Sequence, residues 1–360
     1  MKKHILTLLI ALLVGATSAF AQLAPQPVEC IDLDDPLKPV PGNPYTYEVN
    51  VPTPPGAKTY HWFVTQDINF INAGVLTPDR ETIGGPILAA GSGHYDTLTL
   101  DASSLSLTWK SFVLNPDEYV FVVIQVTNVD PANGCETENL KVYRIEPAHA
   151  FTLDIANVGE DGSIQDGYGQ DALETCMSDI ESATYNPVDN NVIYDFGQNT
   201  LYFAVAAANF SGQYQLGIQF DGLIDSQTAD ISWGYTFATA GDNVVATAIP
   251  SGTPYENDAA GIVEAQDASG NVGADGETIY IMVVIHHDNF EGIEAVDYEL
   301  AVEGVLHDGT SVIPGDYADI HHQSCEQNPY DDIAYQTIAP RPDIQDATGS
   351  PSGTFLEIAP

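Results

Sequence analysis

The sequence predicts an all-β chain made of two unequal β-sandwich domains in series. Three observations lead there. Short β-branched and aromatic runs recur along the 360 residues, 30 Gly and 23 Pro punctuate them, and no window sustains the i, i+3, i+4 apolar spacing of a helix. Strict alternation in Tyr60-His61-Trp62-Phe63-Val64 and Leu105-Ser106-Leu107-Thr108-Trp109 marks strands with one buried face.

Taken in order, Lys2 and Lys3 precede an apolar run from Ile5 to Val14 that ends in small residues and Ala19-Phe20-Ala21. That is the shape of a secretory signal peptide over residues 1–21, with cleavage before Gln22. The run is shorter than the roughly 20 apolar residues that span a bilayer, no Cys follows it for lipidation, and no later segment reads as a transmembrane span. The expectation is an exported protein, periplasmic, extracellular or on the cell surface. Export removes two lysines and leaves 7 bases against 51 acids, a net charge of −44. Such a chain repels phosphate backbones and anionic lipid surfaces, which excludes nucleic acid as a partner.

Residues 22–147 form the expected first sandwich, with strands at Tyr45 to Val51, Thr59 to Thr65, Thr97 to Leu100, Ser104 to Trp109, Tyr119 to Asn128 and Asn139 to Ile145. Six short strands in about 120 residues suit a small sandwich. A charge break supports the boundary: residues 22–145 hold 15 acids and 6 bases, whereas residues 146–360 hold 36 acids and one base, Arg341. Residues 148–340 form the expected second, larger sandwich, with strands at Phe151 to Ile155, Thr200 to Ala208, Tyr214 to Phe220, Ile231 to Phe237, Thr278 to His286 and Tyr298 to Gly304. The stretch from Gly241 to Gly276 reads as a long loop. Pro340-Arg341-Pro342 stops the strand before it, and residues 341–360 read as a linker and a short terminal strand.

Tyr60-His61-Trp62-Phe63-Val64, the run ending in Trp109, the strand Val122 to Asn128 and the Gly134-Cys135 turn together resemble the PKD-like or immunoglobulin-like modules of Bacteroidetes surface proteins. The resemblance covers about residues 28–147. Cys176-Met177-Ser178-Asp179-Ile180, Ala206-Ala207-Ala208-Asn209-Phe210 and Pro340-Arg341-Pro342-Asp343 are similar to small secreted proteins of that phylum. Those proteins are associated with gliding-motility and type IX secretion gene clusters. The resemblance implies a companion of the surface machinery, and the chain shows no long C-terminal sorting domain.

Several groups invite chemistry. The cysteines are Cys30, Cys135, Cys176 and Cys325, and an even number in an exported chain reads as disulfides. Of three connectivities, Cys30–Cys135 with Cys176–Cys325 is preferred because each bridge closes one domain end to end. Asp161, Asp166 and Asp171 in the Gly-rich segment 159–171 form a candidate calcium loop, without EF-hand spacing. No other cofactor is expected. His286-His287, His307 and His321-His322 lack zinc-site spacing and read as solvated or turn residues. Gly91-Ser92-Gly93-His94 reads as a loop rather than a nucleophile elbow. The acidic pairs Asp34-Asp35 and Asp331-Asp332 read as coincidence in so acidic a chain. Trp233-Gly234-Tyr235 leaves room for a glycan-binding face. In the tail, Phe355, Leu356 and Ile358 could add to the sheet edge of a second copy.

The expected function is non-catalytic: an extracellular structural or adhesive protein whose partners are other surface proteins or copies of itself. The alternatives are a carbohydrate-binding module and a secreted hydrolase with its site in the Gly241 to Gly276 stretch.

Overall fold

The computed structural model describes residues 22–89, 102–112, 114, 118–165, 167–313 and 317–344. The expected signal peptide over residues 1–21, Gly91-Ser92-Gly93-His94, Asp166 and the tail residues Phe355, Leu356 and Ile358 lie outside these residues. The described chain is all-β.

In the first sandwich β1 (Pro44–Glu48), β2 (Ala57–Thr65), β3 (Ile71–Asn72), β4 (Val75–Leu76), β5 (Ser104–Thr108), β6 (Val120–Val129) and β7 (Glu136–Ile145) follow in order. The pair β1–β5 faces the sheet β2–β6–β7, and β3–β4 is a short hairpin. Alternation decides what lies between the sheets. Tyr45 and Tyr47 of β1 and Leu105 and Leu107 of β5 meet Trp62, Val64, Val122 and Ile124 of the facing sheet in one buried cluster with Trp109.

The second sandwich contains β8 (Thr152–Val158), β9 (Leu173–Cys176), β10 (Ser182–Asn186), β11 (Asn191–Asp195), β12 (Gln198–Ala208), β13 (Phe210–Ser211) and β14 (Gln213–Asp221). It continues with β15 (Thr228–Gly234), β16 (Asn243–Pro250), β17 (Tyr255–Glu264), β18 (Asn271–Val272), β19 (Glu277–His286), β20 (Val296–His307) and β21 (Asp332–Ala339). Two five-stranded sheets, β16–β15–β19–β12–β8 and β17–β14–β20–β21–β9, enclose the larger core. Among the described strands of these two sheets every pairing is antiparallel except β21 with β9. β21 stops at Ala339, one residue before Pro340.

The Gly241 to Gly276 stretch is not a long loop. It forms β16 and β17, one edge strand for each sheet, and the short β18. Edge strands bury little, so most residues of β16 and β17 are exposed or half-buried, and their small and polar composition hides the strand alternation.

Residues 22–30 pack on the second sandwich although the sequence groups them with the first. Leu23 joins Ala156, Ala204, Ala206 and Tyr280 in a cluster on the outer face of the first five-stranded sheet. The chain then crosses to the first sandwich through a turn at Gly42. A Cβ on Gly42 would lie 2.2 Å from the Val272 carbonyl oxygen and 2.5 Å from that of Phe210, and its φ is +78°. Only glycine allows this approach. Asn43 fixes the contact, its side-chain amide donating to Asn209 Oδ1 at 3.0 Å.

Candidate functional site

Polar groups gather where residues 22–30 cross the second sandwich. Gln26 donates to both carboxylate oxygens of Asp154, from its backbone N–H and from Nε2, each at 2.7 Å. Glu29 N–H donates to His322 O at 2.8 Å. One residue later Cys30 is bonded to Cys325, with 6.0 Å between Cα atoms. The expected pairs Cys30–Cys135 and Cys176–Cys325 are therefore wrong. The docked N-terminal segment carries Cys30 to the loop of Cys325, while Cys135, in the turn before β7, and Cys176, at the end of β9, are exposed free thiols.

Beside this bridge lie Asp319, Asp331 and Asp332, which contribute one carboxylate oxygen each to a group within 4.8 Å of one another. β21 sets Asp332 opposite Val302 of β20, on the core-facing side of the sheet. Asp319 is 4% exposed and accepts from Gly304 N–H at 2.7 Å. Burial drives the pKa of both Asp319 and Asp332 upward, and the charge of Asp319 adds to the rise at Asp332. Two carboxyls brought this close in a buried place repel each other when both are ionised, which favours a bound proton. Burial likewise pushes Asp154 up to about 6 against the two Gln26 hydrogen bonds. A single shared proton halves the charge of the pair, and hard-cation coordination is the other chemistry these oxygens permit. The sequence offered one signal for this group: Asp332 begins the inward series Asp332, Ala334, Gln336 and Ile338.

The expected calcium loop is built differently. Asp161 Oδ1 accepts from Ser163 N–H at 3.0 Å in a local turn, and this bond and one from the Ser163 side chain lower its pKa. Asp161 and Asp171 are both exposed, and neither belongs to a converging carboxylate group among the described residues.

Histidines also depart from expectation at one position. His287 is fully buried. Its Nδ1 meets Gln227 Nε2 at 3.1 Å and its Nε2 meets Asn199 Oδ1 at 2.8 Å. Gln227 also donates to the Tyr298 hydroxyl at 2.9 Å. Burial, with Arg341 nearby, lowers the His287 pKa to about 4, so the ring is neutral near pH 7. His321 and His322 stack on each other at 4.6 Å, and His286 pairs with Asp230 at 3.2 Å.

Above this network a groove of about 820 Å³ opens between the β10–β11 hairpin and the loops after β14, β16 and β19. Ser182, Thr184, Ser226 and Ser251 line it with hydroxyls, and Asp195 and Asp288 add carboxylates. The hairpin is anchored by Arg341, the one base of the second half. Its guanidinium donates to Ser178 O and Phe196 O at 2.7 Å and to Glu291 O at 2.6 Å, and it lies 5.1 Å over the Phe196 ring. Trp233-Gly234-Tyr235 does not form a glycan-binding face. Trp233 is 4% exposed, packs against Gly261 and meets the half-buried Tyr235 edge-on, so the indole belongs to the core with Tyr235 packed against it.

No protein-family model matches the chain, and no curated protein matches it. Among solved structures it is similar to AvmM, described as catalysing macrocyclisation in alchivemycin A biosynthesis. That match has 10% identity over 56% of this chain and 94% of that one, with a TM-score of 0.23. The C-terminal domain of the Streptococcus agalactiae antigen I/II polypeptide BspA matches at 13% identity over 55% of this chain and 57% of that one, TM-score 0.17. The C-terminal domain of the Streptococcus pyogenes antigen I/II-family protein AspA matches at 12% identity over 60% and 58%, TM-score 0.18. At these scores the superpositions carry no functional argument. No helix among the described residues is long and apolar enough to cross a membrane.

Proposed function

We propose that this is an exported, non-catalytic β-sandwich protein with a structural or adhesive role at the bacterial cell surface. The observation that carries the reading is the Cys30–Cys325 bridge, which fastens the start of the mature chain onto the second sandwich and suits an oxidising compartment. Arg341 fastens the other end through backbone carbonyls. Both ends of the larger body are thus tied down, as a load-bearing module needs. The gliding-motility and type IX secretion association belongs to the same reading and rests on the sequence resemblance alone. Fractionation and protease shaving of intact cells test it: the protein should be shaved from the surface, and its deletion should reduce attachment. Recovery in the cytosol, or turnover of a substrate by the purified chain, would overturn it.

A second reading, glycan binding, is supported by the hydroxyl-lined groove beneath the β10–β11 hairpin. Binding to neutral glycans on an array, lost on Thr184→Trp substitution, would favour it over a purely structural role.

A further inference from the structure

The two cysteines outside the Cys30–Cys325 bridge sit at matching places in the two sandwiches. Cys135 immediately precedes β7, the edge strand of the sheet β2–β6–β7. Cys176 is the last residue of β9, the edge strand of the sheet β17–β14–β20–β21–β9. Both thiols are exposed. Among the described residues each therefore lies at the border of a sheet whose outermost strand has one partner, where another chain can add.

We propose that the structure assigns Cys135 and Cys176 to a head-to-tail disulfide between copies of this chain. The geometry comes from strand direction. In an antiparallel meeting of edges, the start of β7 in one copy lies against the end of β9 in the next. Placing Cys135 opposite Cys176 then sets Glu136 against Thr175, Thr137 against Glu174 and Glu138 against Leu173, so no two carboxylates are directly opposed. Directly opposed residues of an antiparallel pair lie about 4.5–5.5 Å apart at Cα, within the range a disulfide spans. The contact joins two different surfaces, so it leaves a free Cys135 at one end and a free Cys176 at the other. Repetition extends the assembly copy by copy for as long as the two free ends do not meet.

The chemistry needs an oxidant, a low-molecular-weight disulfide. The Cys176 thiolate attacks it, forming a mixed disulfide and releasing one small thiol. The Cys135 thiolate of the next copy then attacks the Cys176 sulfur and releases the second small thiol. Two protein thiols lose two electrons and two protons, and one small disulfide becomes two thiols.

The inference deepens the structural reading by naming a contact between copies, and it is tested on purified protein, so it stands or falls independently of where the protein resides. The mature chain is incubated with oxidised glutathione and run on a non-reducing gel, with circular dichroism confirming the fold of each variant. Wild type should give a ladder of dimers, trimers and longer species that collapses on reduction. Cys135→Ser and Cys176→Ser should each remain monomeric, and an equal mixture of the two should give dimers and nothing longer, at least tenfold above either variant alone. Mapping a mixture of 15N-labelled and unlabelled copies should find the Cys135–Cys176 peptide joined between labels. Absence of a wild-type ladder, a Cys135–Cys176 link within one copy, or homodimers of a single variant equal to the mixture would each overturn the assignment.

Discussion

In the first sandwich, polar atoms are carried on aromatic side chains to the rim of the core. The Tyr47 hydroxyl donates to Pro36 O at 2.6 Å, the Tyr45 hydroxyl accepts from Val40 N–H at 2.8 Å, and Trp62 Nε1 donates to Ala102 O at 3.0 Å. The second sandwich instead encloses a histidine and carboxylates: His287 in its network with Gln227 and Tyr298, and Asp319 with Asp332. Size explains the difference. A small core cannot offset the cost of enclosed ionisable groups, whereas two five-stranded sheets bury enough apolar surface to carry them. The larger body is also the one tied by a disulfide and by Arg341.

Truncating one large ring should separate the two bodies most sharply. Trp62→Ala is expected to cost the first sandwich about 3–5 kcal/mol, because its fully buried indole leaves a cavity no neighbour can fill. Urea unfolding followed by fluorescence should show an early transition reported by Trp109, with Trp233 of the second sandwich unmoved. A single transition shifted as a whole would mean that the two bodies unfold together.

Opening the bridge should act on the other body. Cys30→Ser is expected to destabilise the second sandwich by about 2–5 kcal/mol and to release residues 22–30 to hydrogen exchange. The Trp62-dependent transition should stay in place. Arg341→Lys comes next, at about 2 kcal/mol, because an ammonium cannot reproduce the planar fork that serves three carbonyls. Exchange at the β10–β11 hairpin should rise in that variant, and an unchanged hairpin would show that Arg341 is ornamental there.

The smallest effect depends on pH. Asp319 and Asp332 have folded pKa values raised by burial. They stabilise the fold when a proton is present, and that contribution is lost as pH rises above the ordinary carboxylate range. Asp332→Asn should therefore raise stability by about 1–2 kcal/mol at pH 8, with the gain vanishing toward pH 4. His287 acts in the opposite direction: its lowered pKa costs stability as pH falls from about 6.5 to about 4. Subtracting wild type from variant at each pH isolates the carboxylate pair. Calcium should act on both proteins no more than ionic-strength-matched NaCl if protonation alone relieves the repulsion within the pair. A calcium-specific gain in wild type that Asp332→Asn abolishes would make the group a cation site.

How far the sequence was legible follows burial. Strands whose residues alternate between core and solvent, such as β2 and β5, stand at their expected places, because one buried face forces period two on the sequence. The edge strands β16 and β17 and the exposed hairpin β10–β11 were illegible, since no face of them is buried enough to impose a pattern. The carboxylate group was harder still. Asp319 and Asp332 come from a loop and a strand, and only the crossing of residues 22–30 brings the bridge beside them. The same crossing misdirected the cysteine pairing, because closing each domain on itself assumes that chain order and spatial order agree.

That crossing also sets a timetable for biogenesis. A chain synthesised from its N-terminus completes β1 to β7 early, yet the larger body cannot close until Arg341 has been made. Throughout that interval Cys30 waits for a partner 295 residues away, while Cys135 is already present. The nearer thiol is thus the kinetic trap, and a mispaired Cys30–Cys135 intermediate would need a disulfide isomerase before the mature fold could form.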